Sequence, residues 1–323
     1  MAIGSETEVL RRDGTIRRRD VEFQTDDGLT LRGWLYVPAQ ATTALPAVVV
    51  TQGFGGVKEQ YVDDVAETIA GSGLAVLLYD HRNFGTSDGE PRQEADPWAQ
   101  IRDYRTAITY LESLPEVDAD RIGVFGSSYA GGHAIVVTAL DRRVKCVFVQ
   151  VPIISGYRNG VRFVRSDMVA DLRARFDADR RARFAGEAPE TVPMIARDPA
   201  ADAALPNVEV YDWYQTIEPW RLENWRNEVT LRSIEMWWEY EPGAYIERMS
   251  PTPMLMVIGA EDALTVSEEA FAAYDRAREP KRLVTLPTGH FGVYVEYKEY
   301  CEQLAADWFA EHLLGEREPI VSP

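Results

Sequence analysis

Two cysteines in 323 residues exclude a disulfide framework as the source of stability. Cys146 lies within an apolar run and reads as a buried thiol, and neither it nor Cys301 sits in a turn beside a histidine. With only four histidines and no His/Cys ligand spacing, the chain offers no basis for a metal site, and no cofactor is expected. No window reaches the length of a membrane span. Residues 1–14 carry no apolar stretch able to serve as a signal peptide. These absences point to a soluble, cytoplasmic protein. Positive charge is scarce too: 34 basic against 52 acidic side chains leave a net charge of −18. That balance argues against nucleic acid and anionic membrane surfaces as partners, and weighs against highly anionic substrates. There is no internal repeat and no low-complexity tract.

What is present is a large apolar fraction, 46%, ample for one large α/β domain or two smaller ones. Residues 21–24 and 29–37 alternate apolar and polar around Asp26-Asp27-Gly28, a hairpin signal. Residues 46–51 form a continuous β-branched run suited to a strand buried on both faces. It leads into the glycine-rich segment Gln52-Gly53-Phe54-Gly55-Gly56, which no Gly-Lys-Ser/Thr follows, so it is not a phosphate-binding loop. A helix over 57–70, a strand over 74–79, a glycine-rich loop over 80–91 and a helix over 97–114 come next. Strand 147–151 extends the alternation, which resumes later with strand 254–259, a helix near 266–278, strand 282–286 and a closing helix over 293–314. Strands alternating with helices imply a mostly parallel, doubly wound α/β sheet with an N-terminal antiparallel hairpin. Ligands of such sheets sit at the carboxyl ends of the strands.

The alternation fails between about 154 and 250. That stretch holds helical segments over 166–185 and 222–240, and five of the eight tryptophans. It reads as a helical cap inserted between two parts of one core, 1–153 and 251–323. Its arginines alternate with aspartates at helical spacing and read as a solvated face. Trp237 and Trp238 are adjacent on a predicted helix and so point about a hundred degrees apart. One of them is thereby free to line an apolar pocket or to make a homodimer contact.

The organising stretch is residues 121–133, RIGVFGSSYAGGH. A short β-branched run ends at Gly126, Ser128 follows, and a helix of small residues begins at Tyr129. A serine at the apex of strand, tight turn and helix is the nucleophile-elbow arrangement. Gly126, Ala130, Gly131 and Gly132 supply clearance for the turn. The helix N-terminus aims its backbone N–H groups at the place where an oxyanion would form.

With these residues the chain resembles an α/β-hydrolase. The elbow S-S-Y-A-G-G and the loop F-G-T-S-D-G-E-P-R resemble the dienelactone-hydrolase-like and X-Pro dipeptidyl-peptidase-like (cocaine-esterase-like) serine hydrolases. Ala130 stands where the strict elbow pattern has glycine, and Ser128 stands where dienelactone hydrolases carry cysteine. The second group adds a C-terminal β domain that has no counterpart after Leu314, so peptidase specificity is not carried over. The superfamily's order of nucleophile, acid and histidine implies Ser128, Asp262 and His290. His290 lies between glycines after a strand, whereas His133 is carried away on the elbow helix. His312 lies on the closing helix, and His81 reads as structural in its loop. Asp262 competes with its neighbour Glu261. Its alternative use is as a helix cap. The resemblance further implies backbone donors at Tyr129 and Phe54, with Gln52 in place of the usual histidine. The expected activity is hydrolysis of a carboxylic ester or lactone of a neutral, apolar or aromatic small molecule. Gln52, Trp237 and Trp238 are candidate substrate contacts. Cleavage of a thioester or C–C bond by the same triad is the alternative, and a binding protein that kept the fold is another.

Overall fold

Buried β-branched runs that alternate with amphipathic stretches build one sheet with helices on both faces. A computed structural model describes residues 9–11 and 14–315. Strands β1 (Val9–Arg11), β2 (Ile16–Gln24) and β3 (Thr30–Pro38) form an antiparallel meander. β4 (Leu45–Thr51), helix α1 (Val62–Gly71), β5 (Ala75–Tyr79), α2 (Pro97–Glu112), β6 (Val117–Ser127), α3 (Tyr129–Leu140) and β7 (Val144–Gln150) then alternate. Next come α4 (Gly156–Gly160), α5 (Val169–Phe184), β8 (Thr191–Val192), β9 (Ile195–Ala196), β10 (Leu205–Pro206), α6 (Val208–Tyr214), β11 (Val229–Thr230) and α7 (Leu231–Glu239). β12 (Met254–Gly259), α8 (Ser267–Arg276), β13 (Lys281–Leu286) and α9 (Lys298–Phe309) complete the order. Nine strands share the main sheet in the order β1-β2-β3-β5-β4-β6-β7-β12-β13. From β5 onward every pairing is parallel, and β3 meets β5 antiparallel.

Because side chains alternate along a strand, β4 feeds two cores. Val48 and Val50 pack with α1 and α9, while Ala47 and Val49 pack with α2 and α3. The second core continues into the segment between β7 and β12, none of whose strands joins the main sheet. There β8 pairs with β11 and β9 with β10, and α7 packs against α4 and α5.

Three expected elements differ. The helix expected over 222–240 is only α7, Leu231–Glu239. Before it, Pro219–Leu222 form a 3₁₀ turn and only Val229–Thr230 are strand, and between them Asn227 pairs with the backbone of Ile195, its Oδ1 accepting from N at 2.8 Å and its Nδ2 donating to O at 3.2 Å. Thr230 then caps α7 through Ser233 N. The closing helix over 293–314 is broken into a 3₁₀ turn at His290–Tyr294, α9, and a π turn at Ala310–Leu314. The helix expected from 57 begins at Val62, after a turn in which Gln60 N donates to Val57 O. Residues 1–8, within the stretch assessed for a signal peptide, lie outside the described residues. Among those described, no helix is long and apolar enough to cross a membrane. No group of three or more His, Cys, Asp or Glu there is placed to hold a metal.

Candidate active site

Ser128 sits between β6 and α3 with φ 57° and ψ −119°, a conformation that L-residues rarely hold. The surroundings enforce it. Ser128 N donates to Gln150 O at 3.0 Å, and Ser128 O accepts from Gly131 N and Ile153 N, each at 3.0 Å. Gly126 is required by the turn itself, since a Cβ there would lie 2.1 Å from Ala130 O. Ala130 is tolerated in the fifth position because only its backbone faces Gly126.

The parallel pairing of β12 and β13 brings their carboxyl-end loops together, with Ala260 N donating to Leu286 O at 2.8 Å and Glu261 N to Thr288 O at 3.0 Å. His290 opens the turn after β13, and its Nε2 lies 3.1 Å from Ser128 Oγ. Its Nδ1 lies 2.8 Å from Asp262 Oδ2. Asp262 is held from all sides. Oδ1 accepts from Leu264 N at 2.8 Å and Thr265 N at 2.9 Å, and Oδ2 faces Thr265 Oγ1 at 2.7 Å. Burial opposes its ionisation, but His290 and the Thr265 donors outweigh that and hold its pKa below the usual carboxylate range. An Asp with its acceptor atoms filled in this way has one orientation toward the imidazole. Glu261 is exposed and takes no part.

The other histidines are elsewhere. His81 and His133 are buried behind the elbow, their rings 5.7 Å apart edge to face. His133 spans Gln100 Oε1 and Tyr240 Oη, each 2.9 Å away. His312 packs on Trp308.

Above Ser128 lies a pocket of about 70 Å³ whose wall includes Gln52, Phe54, Met194, Trp213, His290 and Phe291. Gly53 backs directly onto the serine, as a Cβ at this position would lie 3.3 Å from Ser128 Cβ. Phe54 and Tyr129 flank Ser128 with ring centroids 5.2 Å apart. Among the described residues neither backbone N–H has a protein acceptor. Gln52 is buried, and neither atom of its side-chain amide has a protein partner.

Trp237 and Trp238 do not line this pocket, contrary to expectation. Neither is exposed for a partner chain either, since both are buried. Helix α7 is packed on two sides, so rings a hundred degrees apart both find cover. Trp237 meets Phe54, Tyr129 and Phe163, whereas Trp238 meets Phe176 and Tyr157. The tryptophan over the site is instead Trp213 of α6, stacked 4.6 Å from Phe291. Thr265 and Tyr294, whose hydroxyl bonds Ser127 Oγ, were also outside the sequence reading. The D-x-x-T spacing of Asp262 and Thr265 was a legible signal for the first. Nothing local marks the second.

The family model for X-Pro dipeptidyl-peptidase (S15 family) matches residues 27–292. A thiohydrolase of Eupenicillium brefeldianum is 35% identical over 280 residues, covering 85% of this chain and 88% of that protein. A polyketide transferase of Penicillium crustosum is 33% identical, over 84% of this chain and 90% of its own. The crystal structure of the α/β hydrolase GrgF from Penicillium sp. sh18 superposes with a TM-score of 0.79 at 27% identity, covering 92% of this chain and 99% of that one.

Proposed function

We propose that this chain, which belongs to the X-Pro dipeptidyl-peptidase (S15) family and has the α/β-hydrolase fold, is a serine hydrolase that cleaves carboxylic esters through an acyl-enzyme on Ser128. The observation that carries the reading is the unbroken line from Ser128 Oγ to His290 Nε2 at 3.1 Å and from His290 Nδ1 to Asp262 Oδ2 at 2.8 Å. His290 takes the serine proton as Oγ attacks the acyl carbon, and returns it to the leaving group. Asp262 fixes the ring's orientation and balances the imidazolium. The oxyanion is met by the N–H groups of Phe54 and Tyr129. Water then repeats the sequence on the acyl-enzyme. Residues 154–250 act as the lid, and the walls from Met194 and Trp213 favour a neutral acyl group, because a carboxylate there would lose its hydration without a paired cation.

A second reading, thioester cleavage by the same triad, is favoured by relatives named thiohydrolase and polyketide transferase. The chemistry differs only in the leaving group, so kcat/KM for matched oxygen and sulfur esters of one acyl chain separates the two. The test of the shared mechanism is labelling by a fluorophosphonate probe. Wild type should label at Ser128, and Ser128→Ala should stay folded, fail to label and lose about six orders of magnitude in kcat. Ser127→Ala should retain labelling. A wild type that neither labels nor turns over any acyl substrate makes this a binding protein on a hydrolase fold.

A further inference from the structure

Ser127 and Tyr294 take no part in the mechanism above, yet each places a hydroxyl beside the triad. Ser127 is the last residue of β6 and is 1% exposed. Tyr294 is the last residue of the 3₁₀ turn that His290 opens, and it forms part of the wall of the pocket over Ser128. The two hydroxyls are hydrogen-bonded to each other.

That bond closes a ring. From Ser128 Oγ the path runs to His290 Nε2 at 3.1 Å, along the turn to Tyr294, across the hydroxyl pair to Ser127, and through the peptide bond back to Ser128. The turn is short and tightly folded. A Cβ at Gly292 would lie 1.8 Å from Thr288 Oγ1, so the chain runs directly against its own start. Tyr297 N closes the far side by donating to Gly292 O at 2.7 Å. Thr288 is in turn fixed to the loop of the acid, its carbonyl accepting from Glu261 N at 3.0 Å. One end of the turn is therefore tied to the loop of Asp262, and the other to the strand that presents Ser128. The anchor at Ser127 is itself held, since Ser127 lies opposite Gln150 of β7, whose carbonyl accepts from Ser128 N at 3.0 Å.

Buried hydroxyls find partners in most proteins. This pair differs in what its two ends carry, the base on one and the nucleophile on the other. The Asp262 bond orients the imidazole from its own loop, and the stand-off between that turn and β6 needs a second tie. An error of about 1 Å between reacting groups costs about a hundredfold in rate.

We propose that Tyr294 is a positioning residue. Through Ser127 its hydroxyl sets the distance between the His290 turn and the elbow, and with it the hydrogen bond from Ser128 to His290. The inference rests on the acyl-hydrolase reading and adds to it a group that acts on the reacting pair from behind.

The test compares wild type with Tyr294→Phe, Ser127→Ala and the double variant in kcat, KM and urea unfolding. Phenylalanine keeps the ring in the pocket wall, so KM should not change. Each single variant should lose about 10- to 100-fold in kcat, and should still label fully with the fluorophosphonate, at a lower rate. The double variant should lose no more than either single one, because the same bond is broken once. Stability should follow another pattern. Each single change leaves one buried hydroxyl unmatched, whereas the double change removes both, so stability lost in the singles should return in the double. That stability pattern with kcat at the wild-type value would mean a purely structural pair and overturns the proposal. Additive losses in kcat, or a raised KM with kcat unchanged, overturn it too. Crystal structures give a readout besides activity: the separation of Ser128 Oγ and His290 Nε2 should be longer in Tyr294→Phe than in wild type, and an equal separation overturns the proposal. A wild type that neither labels nor turns over an acyl substrate overturns the hydrolase reading instead, and the separation then decides the positioning role alone.

Discussion

Helices α3 and α5 are opposites. Every residue of α3 except Leu140 is buried, and its side chains are mostly small, so the elbow is gripped by the sheet, α2 and the turn after β7. α5 is longer yet buries only Phe176 and Asp179, and is otherwise laced by exposed ion pairs such as Arg180 to Asp177 and Arg165 to Asp167 beside its start. Exposed pairs of that kind hold little. The difference divides the labour of the molecule. The core fixes the reacting atoms from all directions, and the insert joins that core through buried residues such as Met194, Tyr214 and Trp237 while its outer helix α5 stays at the surface.

The largest way to break the comparison is inside the core. Asp262→Asn should lower kcat by about 10⁴, because the amide stabilises the wrong imidazole tautomer, while the fold survives. Glu261→Gln, at an exposed neighbour, should leave kcat unchanged, and Thr265→Val should fall between, removing one donor to the carboxylate. Steady-state kinetics with circular dichroism checks all three. The reverse ranking of Asp262 and Glu261 would move the acid by one position.

The same division explains what the sequence disclosed. Strand runs such as Ala47–Val50 are buried on both faces, and their periodicity is a local property, so the sheet and its loops were readable. Ser128, His290 and Asp262 were readable because each sits at the end of a strand whose identity was clear. The insert was not, because its conformation is set by distant partners: Asn227 finds Ile195 from 32 residues away, and Arg221 finds Asp63 from 158. Adjacent tryptophans on one helix had to point apart, but a helix packed on two sides buries both rings and leaves neither at the pocket over Ser128. Single residues such as Trp213 carry no signal of which surface they will meet.

The seam between the two regions sharpens the comparison next. Arg221 of the insert is buried and pairs with Asp63 and Asp64 of α1, and donates to Glu59 O at 2.7 Å. Arg221→Ala leaves Asp63 buried without its own cation, Lys298 remaining on Asp64, and should cost about 3–5 kcal/mol. Burial and Asp64 already push Asp63 up to about 7 against the pull of Arg221. Losing Arg221 raises it further, so the cost should be greater at pH 8 than at pH 6, where Asp63 takes a proton. If the insert is as independent as α5 suggests, limited proteolysis should cut the variant between 154 and 250 while β4 and β6 stay protected. Cleavage spread evenly over the chain would show one cooperative unit instead.

The smallest effect sets the two regions against each other through pH. Burial lowers His81 to about 4 and His133 well below the ordinary imidazole value, which is about 6.5. Both are therefore neutral in the folded core, while the unfolded chain takes up two protons as pH falls through about 6.5. Their contribution is fully present above that value and is lost toward pH 4, at about 1.4 kcal/mol per pH unit for each. Asp63 at the seam has the opposite sign. Its pKa is raised to about 7, so the folded state binds a proton over the window in which the unfolded carboxylate does not, and stability rises as pH falls. Between pH 6 and 5 the two histidines and Asp63 therefore act in opposite directions on stability, and removing either changes the slope. Urea unfolding at pH 6 and pH 5 measures it. Asp63→Asn removes the opposing term and should steepen the acid loss, whereas His133→Gln should flatten it even though its starting stability is lower. An Asp63→Asn slope equal to that of wild type would mean that the seam carboxylate is already ionised there, and that Arg221 holds it as tightly as the core holds its histidines.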